Sequence, residues 1–376
     1  MRRRTRQFIA TVIAFLAAVT LGALGTSGIA GAAQSARTAL STPNSALPPG
    51  RSAAASSGIG LPGGLNNSGA GVLSSAVYYD RALRSKLWMP TPDGLVYRSC
   101  RYTVPDGSTV DSIRGRITLP TGAVRPLRRC AYPMLSRPGA SSAPAAAGPS
   151  SHTAGTDGWL LDFSAAQPPS GPLASVTGNM AAPSPPNELY TSVDDFAFTA
   201  FQDYSSHSIL QPIIGWGGLT CDSCSNDTGP YLWMASTYAW GGSEVTALAK
   251  AINPGDTIHF SMSASNCNSS GGGCSWFISM VDYNTSASSA FTVVSSPSYY
   301  SYTGGAFESY NATDCNMLFG NGHLVWRDLS AQYFSSPGHA AAYSNPSFEQ
   351  DIGEQPCGMY AINYAASNGG DILWTP

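Results

Sequence analysis

The stretch that decides the fold runs from Ser208 to Trp216 and reads Ser-Ile-Leu-Gln-Pro-Ile-Ile-Gly-Trp. Its continuous apolar character is typical of a buried strand. The amide of Gln211 interrupts the apolar run. Because burying an unpaired amide is costly, we predict that Gln211 is either hydrogen-bonded inside the fold or faces a cleft.

Short β-type runs continue on both sides of this stretch, and many are bounded by Gly, Pro, Asn or Asp. Their spacing predicts an all-β sandwich over residues 155–376. The ten runs are residues 158–164, 174–180, 194–202, 208–216, 231–240, 257–264, 275–283, 289–295, 305–310 and 323–329. A turn or two of helix is predicted around Glu244 to Ile252.

The amino terminus has a charged start, an apolar run from Phe8 to Leu24, and the small-residue site Ala30-Gly31-Ala32. Together these predict a secretory signal peptide over residues 1–32 and a secreted, extracellular protein. A membrane anchor is the alternative, but no later segment is hydrophobic enough to be a second span. A twin-arginine export route also stays open.

Three further regions precede the sandwich. Residues 33–74 are rich in Ala, Ser, Gly and Pro and predict a disordered leader. Residues 75–134 predict a small β-region, and residues 135–154 predict a Pro/Ala/Ser-rich linker. Whether everything before residue 155 is a removed propeptide or a permanent part stays open.

The charge balance excludes some partners. Removing residues 1–32 takes the formal net charge from -3 to -7, which argues against nucleic acid and anionic membranes. Charged residues make up only 11% of the chain, so a fall in pH changes few surface charges. This composition suggests an acidic or variable environment.

Eight cysteines follow the signal peptide, an even number that indicates disulfides in an exported protein. The shortest loops come from pairing Cys100 with Cys130, Cys221 with Cys224, Cys267 with Cys274, and Cys315 with Cys357. A redox motif or half a zinc site is the alternative for Cys221-x-x-Cys224. No second such pair follows it, and His207 is the histidine nearby.

Several enzyme signatures are missing from the sequence. It contains no phosphate loop, no H-E-x-x-H and no G-x-S-x-G, and its histidines lack metal-ligand spacing. We therefore expect no metal and no cofactor.

Glu308 stands in the aromatic-rich segment Gly304-Gly305-Ala306-Phe307-Glu308-Ser309-Tyr310. Burial there would make its carboxyl useful for acid–base chemistry. The alternative is a glutamate on the solvent face of an alternating strand.

At this point the chain resembles the eqolisins, or glutamic peptidases. Ile209-Leu210-Gln211 matches the family strand that bears the catalytic glutamine, and Ala306-Phe307-Glu308 matches the late strand with the catalytic glutamate. The resemblance covers roughly residues 155–330. It implies a concanavalin A-like sandwich of two curved antiparallel sheets, with Gln211 and Glu308 as the catalytic pair.

The sequence departs from the family at the cleft. The family's tyrosine-glutamate-tryptophan element reads Tyr238-Ala239-Trp240 here, so an acidic residue is missing at Ala239. An upstream tryptophan and aspartate are replaced by Phe198 and Gln202, unless Asp203 takes the acidic role.

The resemblance also implies a substrate-binding cleft. Its expected residues are Phe198, Gln202, Trp216, Trp233, Tyr238 and Trp240. For any one of the aromatic residues, packing in the sandwich core is the alternative.

These features predict a secreted, monomeric, acid-acting endopeptidase. Glu308 would activate the water and Gln211 would stabilise the oxyanion. The alternative is a non-catalytic module that binds polysaccharide or another surface. Glycoside hydrolysis is a third reading, but it needs two carboxylates and no second acid shares a motif with Glu308.

Overall fold

Strands make up nearly all of the regular structure in the computed structural model. The structure describes residues 82, 87–91, 94–132, 135, 157–165, 171–189, 193–203, 206–217, 231–268, 273–336, 338–343, 348–352, 356–364 and 369–376. The strands are β1 (Trp88–Thr91), β2 (Gly94–Tyr97), β3 (Arg101–Val104), β4 (Thr109–Asp111), β5 (Arg116–Thr118), β6 (Val124–Pro126), β7 (Asp157–Ala165), β8 (Leu173–Ala181), β9 (Asp194–Asp203), β10 (Ser208–Gly217), β11 (Tyr231–Trp240), β12 (Ser243–Ala247), β13 (Lys250–Ala251), β14 (Thr257–Ser265), β15 (Ser275–Asp282), β16 (Ser288–Val294), β17 (Ser301–Tyr310), β18 (His323–Ser336), β19 (His339–Ala342), β20 (Phe348–Ile352), β21 (Tyr360–Ile362) and β22 (Gly369–Leu373). Short 3-10 helices lie at Arg98–Cys100, Cys315–Met317 and Pro356–Gly358.

Two large sheets form the sandwich. Sheet I has the order β20-β7-β17-β9-β10-β11-β12-β3, with β13 paired to β11. Sheet II has the order β21-β22-β18-β8-β14-β15-β16-β4-β5-β6, with β19 paired to β18. The predicted all-β sandwich is confirmed.

The core lies between the two sheets and is rich in aromatic side chains. Phe201 of sheet I packs edge-to-face on Trp276 of sheet II, with ring centroids 5.8 Å apart. Phe163 likewise meets Trp326 at 5.6 Å. Burying a large apolar side chain stabilises a fold by about 1.5–3 kcal/mol, so these contacts hold the sheets together.

The segment before residue 132 joins both sheets. Strand β3 pairs in parallel with β12 at the edge of sheet I, and β4 pairs in parallel with β16 in sheet II. Val104, Val110, Ile117 and Leu127 of this segment are buried in the core. Backbone hydrogen bonds therefore connect the predicted small β-region directly to both sheets of the sandwich.

All ten runs predicted as strands are strands, whereas the predicted helix around Glu244 to Ile252 is wrong. Residues Ser243–Ala247 and Lys250–Ala251 are strands paired to β11. Val245 and Thr246 are β-branched and favour a strand, and sheet pairing on both edges of β12 outweighs a weak helical preference.

Three of the four predicted disulfides are confirmed: Cys100–Cys130, Cys267–Cys274 and Cys315–Cys357. Cys221 and Cys224 lie outside the described residues, as do the predicted signal peptide, the leader and nearly all of the linker. No helix in the described part of the chain is long and apolar enough to cross a membrane.

Candidate active site

The outer face of sheet I, turned away from sheet II, carries Gln211. Its neighbour Leu210 packs in the core between the sheets, whereas Ile209 and Ile213 belong to a second hydrophobic cluster. Side chains alternate along a strand, so Gln211 shares the outer face with Ile209 and Ile213. This second cluster is called the outer cluster below.

The Gln211 side chain is buried, with 2% exposed, and only one end of its amide is held. Thr237 lies directly opposite on β11, and its Oγ1 donates a hydrogen bond of 3.2 Å to Gln211 Oε1. Gln211 Nε2 is buried and has no hydrogen-bond partner within the described part of the chain. The amide is thus held at its oxygen end, whereas its nitrogen is buried without a partner among the described residues.

Glu308 lies on the same outer face and is equally buried, with 2% exposed. Ala306 and Tyr310, which alternate with it on β17, belong to the outer cluster. Phe196 of β9 and Trp159 of β7 lie directly opposite Glu308 on either side. Glu308 is therefore buried among aromatic residues, and the alternative of a glutamate on a solvent face is wrong.

The register does not place Gln211 and Glu308 side by side. Strand β9 lies between β10, which carries Gln211, and β17, which carries Glu308. The unbroken pairing of β9 with β10 places Gln211 opposite Ala200, and Ala200 pairs with Thr303 of β17. Glu308 is instead level with Gly215, four residues along β10. Two strand spacings across and four residues along correspond to about 10 Å and about 13 Å, so the two Cα atoms are about 16 Å apart.

No family model matches the chain, and no curated protein matches it in sequence. One similar solved structure is scytalido-glutamic peptidase with a peptide-based transition-state analogue: 12% identity, TM-score 0.36, 58% of this chain and 98% of that one covered. Another is SCP-B, a member of the eqolisin family in complex with the tripeptide Ala-Ile-His: 11% identity, TM-score 0.35, with the same two coverages.

The chain is similar to eqolisin structures. This is the family that its Gln211 and Glu308 motifs resemble, and the similarity in structure concerns the fold.

A second carboxylate, Glu244, lies on the outer face. It is directly opposite Ala239 of β11, a member of the outer cluster, and is 4% exposed. Arg101 of β3 lies directly opposite on the other side, with its Nε 3.4 Å from Glu244 Oε2. The sequence did not point to Glu244, since the segment was predicted as helical.

The six predicted substrate-binding residues divide between the two faces. Phe198 and Trp233 belong to the outer cluster, and Gln202 lies on the same face, next to Ala200. Trp216 and Tyr238 pack between the sheets instead. They are therefore core residues and do not line the outer face.

Trp240 and Asp203 contact neighbouring loops. Arg129 stacks over the Trp240 ring, with its guanidinium carbon 4.5 Å from the ring centroid. Asp203, the alternative acid, accepts a 2.6 Å hydrogen bond from Ser206 and follows Gln202 on the strand, so it points away from the outer face.

The chain's own amino-terminal hairpin covers part of the outer face. Trp88 and Leu95, from β1 and β2, are buried members of the outer cluster. Tyr310 Oη donates a 2.9 Å hydrogen bond to the carbonyl oxygen of Thr91. A peptide that binds the outer face must displace or bypass this hairpin.

Asp195 is buried on the core side of sheet I, next to the strand of Glu308. Burial raises its pKa to about 7, although hydrogen bonds from Ser309 and from the backbone N–H of Phe319 act to lower it. The Phe319 bond to Oδ2 is 2.8 Å long. This carboxyl is neutral in the folded protein at acidic pH.

Proposed function

We propose that this chain is a secreted endopeptidase that hydrolyses polypeptides at acidic pH, using Gln211 and Glu308 on the outer face of sheet I. The observation that carries the proposal is the half-satisfied Gln211 amide: Thr237 holds its oxygen, and its buried nitrogen has no partner within the described residues. A buried donor in this state suits the oxygen of a reacting carbonyl.

The proposed reaction needs no metal and no cofactor. Glu308 takes a proton from water as the water oxygen attacks the scissile carbonyl carbon. Gln211 donates its amide N–H to the developing oxyanion. The C–N bond then breaks, and the proton held by Glu308 passes to the leaving nitrogen.

The disulfides and the composition support the location and the working pH. Disulfides persist in oxidising compartments outside the cytosol, and the first 32 residues have the pattern of a signal peptide. The protonated Asp195 favours the folded state in acid. We propose that the exported protein acts as a monomer.

A second candidate function is non-catalytic binding of a polysaccharide or another surface. The register separation of Gln211 and Glu308 favours it, because one reacting bond must lie near both groups.

An activity assay separates the two functions. Secreted full-length protein is incubated with an unfolded protein substrate from about pH 2 to pH 7 with a chelator present, beside Gln211→Ala and Glu308→Gln variants. We expect cleavage by the parent below about pH 5 and none by Gln211→Ala. A parent that cleaves nothing at any pH, or a Gln211→Ala variant as active as the parent, contradicts the proposed peptidase.

A further inference from the structure

We infer that Glu244 is a further catalytic carboxylate of this site, the one that acts on the same bond as Gln211. The inference rests on the proposed peptidase function and assigns a residue to it. Its starting point is the strand register, which places Glu244 closer to Gln211 than Glu308 is.

The positions follow from two pairings with β11. Gln211 lies opposite Thr237, and Glu244 lies opposite Ala239, two residues further along the same strand. Two strand spacings across and two residues along correspond to about 10 Å and about 7 Å, so the Cα atoms are about 12 Å apart. The matching separation from Gln211 to Glu308 is about 16 Å.

The intervening side chains also favour Glu244. On the outer face, Thr237 and Ala239 stand between Gln211 and Glu244, and both are small. Between Gln211 and Glu308 stand Phe196 and Phe198, which are fully buried large rings. The small pair leaves the Glu244 side of Gln211 less crowded by side chains than the Glu308 side, where the two phenyl rings stand.

The surroundings of Gln211 on the Glu244 side are polar and incompletely bonded. Gln202 Oε1, Gln211 Nε2 and Thr246 Oγ1 are buried and lack hydrogen-bond partners among the described residues. Thr246 lies directly opposite Thr237, and Gln202 lies opposite Ile209, so these groups form one patch with Glu244. A peptide bond presents one donor and one acceptor and would satisfy such a patch.

Arg101 positions the Glu244 carboxylate from the edge strand. Its Nε is 3.4 Å from Glu244 Oε2, and both side chains are 5% exposed. A guanidinium beside a buried carboxylate favours the ionised form that a general base needs. In this assignment Glu244, in place of Glu308, takes a proton from the attacking water, and the same proton reaches the leaving nitrogen when the C–N bond breaks.

The experiment compares Glu244→Gln, Glu308→Gln and the exposed control Glu349→Gln in full-length protein, with hydrolysis of the same unfolded substrate measured from about pH 2 to pH 7. We expect Glu244→Gln to lose at least about 100-fold in kcat/KM, the usual scale for a lost acid–base group, and Glu349→Gln to match the parent. A Glu244→Gln variant with parental activity and pH profile overturns the inference.

A conservative variant covers the case in which Glu244→Gln fails to fold. Glu244→Asp keeps the charge opposite Arg101 but withdraws the carboxylate by one methylene. We expect a near-parental unfolding temperature with kcat reduced at least about 10-fold, since acid–base catalysis depends on position. Unchanged kcat overturns the inference. Active protein that depends on Glu308 alone overturns only the role of Glu244, whereas an inactive parent overturns the peptidase function as well.

Discussion

Gln211 lies level with Thr303 across strand β9, and a break in register between Thr303 and Ala306 precedes Glu308 on the same strand. A bulge of this kind adds a residue to one strand and changes which side chains stand opposite each other. As a result, Glu308 shares the outer face with Gln211 but faces Phe196 and the aromatic side of that surface. The polar side of the surface, around Gln211, contains Glu244 instead.

Replacing Gln211 by leucine separates its chemical role from its structural one. We expect the unfolding free energy of Gln211→Leu to stay within about 1 kcal/mol of the parent, because the change removes a buried N–H group that lacks a partner within the described residues. Thr237 Oγ1 loses the side-chain acceptor but keeps the carbonyl oxygen of residue 211, 3.4 Å away. Hydrolysis should fall by at least about 100-fold, the cost of losing one oxyanion donor.

Urea unfolding and the acid assay measure these two quantities. The exposed amide Gln332 on sheet II serves as the matched control, and Gln332→Leu should keep full activity. Equal loss of activity in both variants would show that the Gln211 amide has no special role.

Breaking the Arg101–Glu244 pair should destabilise the edge of sheet I. We expect Arg101→Met alone to lower the unfolding free energy by about 3–5 kcal/mol, because it leaves a buried carboxylate without its guanidinium. The double variant Arg101→Met, Glu244→Leu should recover most of that loss. A double-mutant cycle of urea unfolding measures the coupling energy between the two side chains. Additive effects of the two changes would contradict the predicted coupling.

Asp195 should make the fold more stable in acid than at neutral pH. Its pKa is raised from 3.8 to about 7 in the folded protein, so the folded state retains a proton that the unfolded state has lost. Stability is then fully present below about pH 4 and falls as the pH rises towards 7. The largest loss over this window is about 4 kcal/mol, from the free-energy equivalent of each pKa unit.

Unfolding of Asp195→Asn at pH 4, 5, 6 and 7 tests this dependence. The amide does not titrate, so its stability should vary less over this range than that of the parent. Parallel pH curves for parent and variant would show that Asp195 does not carry the effect.

The disulfides should differ in how much they contribute to the free energy of unfolding. Cys315–Cys357 spans 42 residues and Cys267–Cys274 spans 7. Chain-entropy arguments make the longer loop more stabilising by about 1.5 kcal/mol. Unfolding of the two paired Cys→Ala variants in urea measures the difference, and a larger loss from the Cys267/Cys274 pair would contradict the argument.

The sequence predicted those parts of the fold that depend on local pattern. Alternation and turn residues identified ten strands, and burial of the Gln211 strand followed from its apolar run. The register between strands could not be read, because the shift after Thr303 depends on packing around Gly304 and Gly305, whose missing side chains make room for the Phe163 ring. The sequence motifs therefore predicted Gln211 and Glu308 as one catalytic pair, although β9 and the bulge separate the two residues.

Two other features depend on contacts that are distant in sequence. Glu244 was assigned to a helix because its neighbours give a weak local signal, and the strand forms only when β11 and β3 pair with it. Strands β20, β21 and β22 near the carboxyl terminus were not predicted. They are short, and they are stabilised by the pairing of β20 with β7, of β22 with β18 and of β21 with β22.

Each of the three described disulfides closes its loop entirely before Leu135 or entirely after Asp157. A single cut between these two residues would leave two pieces held by the β3–β12 and β4–β16 pairings and by the buried side chains of the first piece. Such a nicked protein is a heterodimer, so its melting temperature would depend on concentration, and dilution would separate the pieces. The uncut chain, in contrast, would unfold at a temperature independent of its concentration.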